Sequence, residues 1–176
     1  GKAMWKNQGG AGNYSCAVPF KYKNQQFFAI FGQKQLNVVD EKNGKVVASQ
    51  NWETSHDVNA ADPIVFSNGI KIFVSSGYGR GCALLEFDGN TLNKRWEQKV
   101  PASHFTSPVI IDNNIYAVTG NAGSGGLVCV SAIDGNLKWQ GKTGFGSFVA
   151  TKNNIIYLNE SGDLILIETT PDSHKE

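Results

Sequence analysis

Apolar residues come in short runs along this chain, separated by clusters of Gly, Asn, Asp and Ser, and no stretch sustains a 3.6-residue rhythm. That pattern predicts short strands joined by tight turns and no long helix. The clearest stretch predicts strands over 108–111, 115–119, 127–133 and 137–141. Turns at Asp112-Asn-Asn114 and Asp134-Gly135 and a glycine-rich loop over 120–126 would join them. Asx-Gly pairs suit such turns because glycine takes a positive φ without steric cost. Runs such as Ile70-Lys-Ile-Phe-Val74 and Leu127-Val-Cys-Val130 are apolar on both sides of a strand, which predicts sheets buried on both faces.

The pattern repeats. Ala17-Val-Pro-Phe20, Asp62-Pro-Ile-Val65 and Ser107-Pro-Val-Ile110 place prolines at 19, 63 and 108, and Ser147-Phe-Val-Ala150 fills the same slot one period later. A second marker runs in parallel: Gly1-Lys-Ala-Met-Trp5, Gly44-Lys-Val-Val-Ala48, Leu92-Asn-Lys-Arg-Trp96 and Gly135-Asn-Leu-Lys-Trp139. Four strands in a period of about 44 residues predict an all-β propeller of four-stranded antiparallel blades. Blades are expected over about 17–52, 62–98, 107–142 and 147–176. The last is incomplete, and 1–6 would be only the final strand of a preceding blade. Trp5, Trp96 and Trp139 are read as wedges between blades, whereas Trp52 falls outside that register.

An apolar strand ending in Asp and followed by Gly-Lys-x-x-Trp resembles the quinoprotein-type, or PQQ-like, propeller repeat. Val38-Val-Asp40 leads to Gly44-Lys45, and Leu85-Glu-Phe-Asp88 leads to Lys94-Arg-Trp96, while Ser131 takes the Asp place in the fourth copy. The segments 52–63, 76–84 and 164–171 are similar to the PQQ-binding-like repeat proteins of planctomycetes and related bacteria. The resemblance implies a bacterial, periplasmic or otherwise exported protein. It also implies that this chain carries about four blades' worth of a seven- or eight-bladed ring, so that remaining blades or a second chain would close it.

Composition narrows the function. Sixteen Lys plus Arg against fifteen Asp plus Glu leave no basic excess of the kind a nucleic-acid binder needs. No apolar run approaches the roughly 20 residues of a membrane-spanning helix. Cys16, Cys82 and Cys129 are widely spaced, without a Cys-x-x-Cys pair, so no zinc site is expected and all three are read as small buried hydrophobes.

In such blades the loops from a fourth strand to the next first strand share a rim with those between second and third strands. Asp57, Asn59, Tyr78, Arg80 and His104 all fall in rim loops, with His56, Phe105, Asn13, Tyr14 and Asn121 near them. His56-Asp57 with Arg80 and His104 offers general acid–base chemistry or a hydroxyl-rich or anionic ligand site, and the Asx residues could equally pin their own loops. Ser76-Gly-Tyr-Gly-Arg-Gly81 precedes a strand, not a helix, so it is not read as a phosphate loop. The expected function is a non-catalytic exported scaffold that binds a protein or carbohydrate-like ligand at the rim. No metal and no cofactor are expected. The alternative is a fragment of a PQQ-dependent dehydrogenase, with PQQ and calcium.

Overall fold

The structure, a computed structural model, describes residues 1–7 and 10–175. Among the described residues, fifteen strands form four antiparallel sheets in which sequence neighbours pair in order. The first sheet holds β1 (Val18–Tyr22), β2 (Gln25–Phe31), β3 (Gln35–Asp40) and β4 (Val46–Asn51). The second holds β5 (Ile64–Phe66), β6 (Lys71–Ser76), β7 (Gly81–Phe87) and β8 (Leu92–Gln98). The third holds β9 (Val109–Ile111), β10 (Asn114–Asn121), β11 (Ser124–Ser131) and β12 (Leu137–Gln140). The fourth holds β13 (Gly146–Ala150), β14 (Asn154–Asn159) and β15 (Leu164–Glu168). The fold is therefore all-β and built of propeller blades. No helix among the described residues is long and apolar enough to cross a membrane.

One backbone bond recurs beside the central hairpin of every sheet: Glu41 to Gln26, Phe87 to Ile70, Ala132 to Asn113 and Thr169 to Asn153, N–H to carbonyl in each case. It sets the four sheets in a common register. Because side chains alternate across a strand, each sheet has two different faces. Ile72, Val74 and Leu85 of the second sheet pack back on Phe27, Phe31, Leu36 and Val38 of the first. Phe73, Cys82 and Leu84 on its other face meet Ile115, Val130 and Ala132 of the third. Tyr116, Val118, Leu127 and Cys129 of the third then meet Ile155, Tyr157 and Ile167 of the fourth. A leading face thus docks on the trailing face of the sheet before it, three times over. Among the described residues no such cluster joins the fourth sheet to the first, so the sheets form an open arc.

The tryptophans seal these joints. Trp96 of β8 lies on the turn at Gly135 of the next sheet, and its indole donates to the Ala132 carbonyl. Trp139 of β12 reaches forward in the same way to the Thr170 carbonyl at 2.7 Å. Trp5 covers Gly44 and donates to the Glu41 carbonyl at 2.7 Å. A Cβ on Gly44 would stand 2.3 Å from the Trp5 ring, so the turn must carry glycine to accept the indole.

Several sequence expectations change. Residues 1–6 are not in a strand here; Trp5 and Asn7, whose amide donates to the Gly44 carbonyl, fix the segment on the first sheet. The glycine-rich loop over 120–126 is mostly hairpin: β10 and β11 run on until Asn121 faces Ser124. Gly120 and Gly125 sit opposite each other with φ of 94° and 115°, and a Cβ on Gly125 would lie 1.9 Å from the Thr119 carbonyl oxygen. Ser131 does occupy the place of Asp40, since Gly135 donates to its carbonyl as Gly44 does to that of Asp40. In the second sheet that place belongs to Glu86, because Phe87 is the counterpart of Glu41, and Asp88 instead caps its own turn through Asn90 and Thr91. Cys82 and Cys129 are buried, and burial pushes their thiols up to about 12 and about 11, but Cys16 is exposed.

Candidate functional site

The rim begins with a buried anchor. Trp52 follows β4 and is 2% exposed; its indole donates to the Ser76 hydroxyl at 2.9 Å. Ser76, at the end of β6, donates in turn to Oδ1 of Asn59 at 2.5 Å. The Asn59 amide then donates to the carbonyls of Gly32 and Gln33, both at 2.9 Å. Asn59 is wholly buried and spends both ends on this relay. It pins the 52–63 loop to the first sheet and presents nothing to a ligand.

Arg80 lies above this anchor. Its guanidinium stacks 3.6 Å over the Trp52 ring, Nε donates to the Glu53 carbonyl at 3.0 Å and Nη1 meets Glu97 at 2.6 Å. Lys94 first and Arg80 second hold the Glu97 carboxyl below the usual carboxylate range. The forked donor expected to grip an anion is thus committed to the protein, as a strut that ties the second-to-third-strand loop to the preceding interblade loop. Asp57 has φ of +54°, its carbonyl accepts from the Asn13 amide, and its carboxylate turns to Lys34 at 3.8 Å.

Next to the strut runs a line of rings from three loops. Tyr78 packs edge-on against His56 at 4.5 Å and against His104 at 4.6 Å, and His104 stacks on Phe105 at 3.9 Å. The outer members are open: Tyr78 is 39% and Phe105 62% exposed, whereas His104 is 8% exposed. The five residues singled out in the sequence therefore come to the same rim, but they divide. Asn59 and Arg80 serve the scaffold, Asp57 lies on the flank, and Tyr78 and His104 face a surface completed by His56 and Phe105. Phe105 was legible only as a member of a rim loop, and His56 only as a candidate acid–base or ligand group beside Asp57. Glu97 gave no signal, because a lone acidic residue on an outer strand reads as solvated surface.

The histidines do not form an acid–base set with Asp57. The His56 ring contacts Tyr78 while the Asp57 carboxylate faces Lys34. Among the described residues, no group of three His, Cys, Asp or Glu side chains is placed to hold a metal ion.

Desolvation lowers the pKa of His104, with the Asn121 side chain pulling the other way. A histidine whose folded pKa is depressed favours folding while neutral, so its contribution is full above about 6.5, the ordinary value. That contribution is lost as pH falls from there towards the folded pKa, because the unfolded chain takes up the proton first. The expected result is stability that declines as pH falls below about 6.5, with a shallower decline in His104→Gln; denaturant midpoints measured across pH 5 to 8 check it.

A family model described as outer membrane protein assembly factor BamB, built of PQQ-like repeats, matches residues 1–169. No curated protein sequence matches the chain. Among solved structures, the computationally designed Ika4 protein superposes with a TM-score of 0.65 at 10% identity, over 94% of this chain and 97% of that one. A quinohemoprotein alcohol dehydrogenase from Pseudomonas putida superposes with a TM-score of 0.67 at 14% identity, over 98% of this chain. This chain spans only 34% of that dehydrogenase. At such identities both likenesses speak for the fold alone.

Proposed function

The chain belongs to the PQQ-like propeller-repeat family described as outer membrane protein assembly factor BamB, and we propose that it is a non-catalytic, exported bacterial scaffold whose rim binds an extended polypeptide. The observation that carries this reading is the ring surface of Tyr78, His104 and Phe105, backed by the Trp52–Arg80 strut. Exposed aromatic rings held by their neighbours give large contact area at little entropic cost, which is the usual make-up of binding hot spots. The described family role, assembly of outer membrane proteins, supports a protein ligand over a carbohydrate one.

The rim residues of this chain do not fit PQQ with calcium. A hard cation asks for several oxygen ligands, carboxylates foremost, and here Asp57 faces Lys34 while Glu97 is shared by Arg80 and Lys94. We therefore propose that the chain works without that cofactor. Titration with PQQ and Ca²⁺, followed by absorbance, is expected to show no saturable change. Saturable binding with dye reduction on adding an alcohol or sugar would overturn the reading. The labelled protein is expected to bind arrayed peptides of alternating apolar and polar residues; binding to arrayed glycans alone would assign the rim to carbohydrate instead.

A further inference from the structure

We propose that the groove where the end of β8 meets the turn between β11 and β12 is a docking surface for a polypeptide segment carrying an aliphatic side chain flanked by carboxylates. The groove, of about 220 Å³, is lined by Gln98, Lys99, Val100, Gly135, Asn136 and Leu137. It lies between two complete four-stranded sheets, apart from the line of rings at the rim. Two apolar side chains stand open on this turn: Ile133 is 72% and Leu137 49% exposed. Exposed apolar residues are ordinary one at a time, but the internal repeat shows that the fold does not require these two. The first and third sheets share one turn, since Val39 pairs with Val46 as Val130 pairs with Leu137, each just past a β-bulge. Ser131 has the place of Asp40, so Ile133 is the counterpart of Lys42. The local bonds agree: the Lys42 amide donates to the Asp40 carboxylate, and the Ile133 amide to the Ser131 hydroxyl. In the second sheet, whose turn is longer, Asp88 follows the Asp40 place by two residues and Lys94 stands opposite Leu85 at the same bulge. The turn therefore closes with Lys in place of Ile133, and the strand pairs with Lys in place of Leu137. Of these three sheets only the third is apolar at both positions, and apolar side chains gathered beside an open groove mark a contact surface.

Charge selects the occupant. Lys99 borders the groove, is exposed, and has no ion-pair partner among the described residues. Lys138 is exposed next to Leu137. Asp134, the acidic residue of the turn, turns its carboxylate to the backbone and side-chain amides of Asn136. Glu97, one residue before the groove, is held between Arg80 and Lys94. Apolar surface under a free ammonium group complements an aliphatic side chain next to Asp or Glu, and such complementarity fixes partner choice and register. The floor is rigid. A Cβ on Gly135 would stand 2.7 Å from the Trp96 ring and 2.8 Å from Cγ of Gln98, so the turn is packed tightly on β8. A segment entering the groove meets a preformed surface.

The probe is a labelled peptide of leucine alternating with glutamate, with a leucine–lysine peptide as its control. Fluorescence anisotropy is read with the full chain carrying Phe105→Ala, which weakens binding at the rim. Saturable binding of the acidic peptide, and none of the basic one, is expected. Adding Ile133→Asp with Leu137→Lys brings in the residue types of the second sheet and leaves the net charge unchanged. That pair is expected to weaken binding by about tenfold or more while leaving the urea midpoint unchanged. Lys99→Gln, at an exposed position, is expected to weaken binding severalfold and to flatten its dependence on salt. Three results would each overturn the proposal: no saturable binding of the acidic peptide, equal binding of the basic one, or affinity indifferent to both the Ile133–Leu137 pair and Lys99→Gln.

Discussion

Trp52→Ala is expected to lower the free energy of unfolding by about 3 to 5 kcal/mol, the range for deleting a large buried aromatic side chain. Trp52 is 2% exposed, packs on Phe31 with centroids 6.4 Å apart, and gives its indole proton to Ser76. The cavity would lie between the first and second sheets, where neither can collapse without breaking its ladder. The loss extends to the rim, because the guanidinium of Arg80 rests on this ring. Urea unfolding monitored by circular dichroism measures it. A loss below about 1 kcal/mol would show that the joint repacks and that Trp52 is no anchor.

Asn59→Ala is expected to cost about 2 to 4 kcal/mol. Each buried polar group left without its partner costs about 1 to 3 kcal/mol, and the substitution strips the Ser76 hydroxyl of its acceptor and the Gly32 and Gln33 carbonyls of their donor. Asn59→Asp is expected to be worse, since it brings a carboxylate against those two carbonyl oxygens. Asp57→Asn, two residues away, is expected to change stability by less than about 1 kcal/mol, the worth of an exposed ion pair. The contrast between neighbouring positions, read from urea midpoints, separates a residue that holds the loop from one that decorates it.

The blade plan was legible because its signal is repeated. Prolines at 19, 63 and 108 and tryptophans at 5, 96 and 139 carry one period, and a period of four short strands admits few architectures. Ends were less legible. Gly120 and Gly125 read as loop by composition, yet they are ladder residues whose missing side chains let two backbones approach. Residues 1–6 have the sequence of a fourth strand but are not in a strand here, because strand pairing is a matter of tertiary structure. At the rim, register alone brought Asp57, Asn59, Tyr78, Arg80 and His104 to one side. Their division into scaffold and surface depended on which way each side chain turned. An Asn can relay hydrogen bonds or bind, and an Arg can brace or grip, with the same letters on either side.

The most direct measurement of the rim's role is fluorescence anisotropy of a labelled peptide of alternating apolar and polar residues, titrated with the wild-type chain and with Phe105→Ala. Phe105 is 62% exposed, so its removal is expected to leave the unfolding midpoint unchanged. Affinity is expected to fall by about tenfold or more, as for an aromatic residue at the centre of a binding surface. Equal affinity of the two proteins for the peptide would contradict the assignment of the rim as a polypeptide-binding surface.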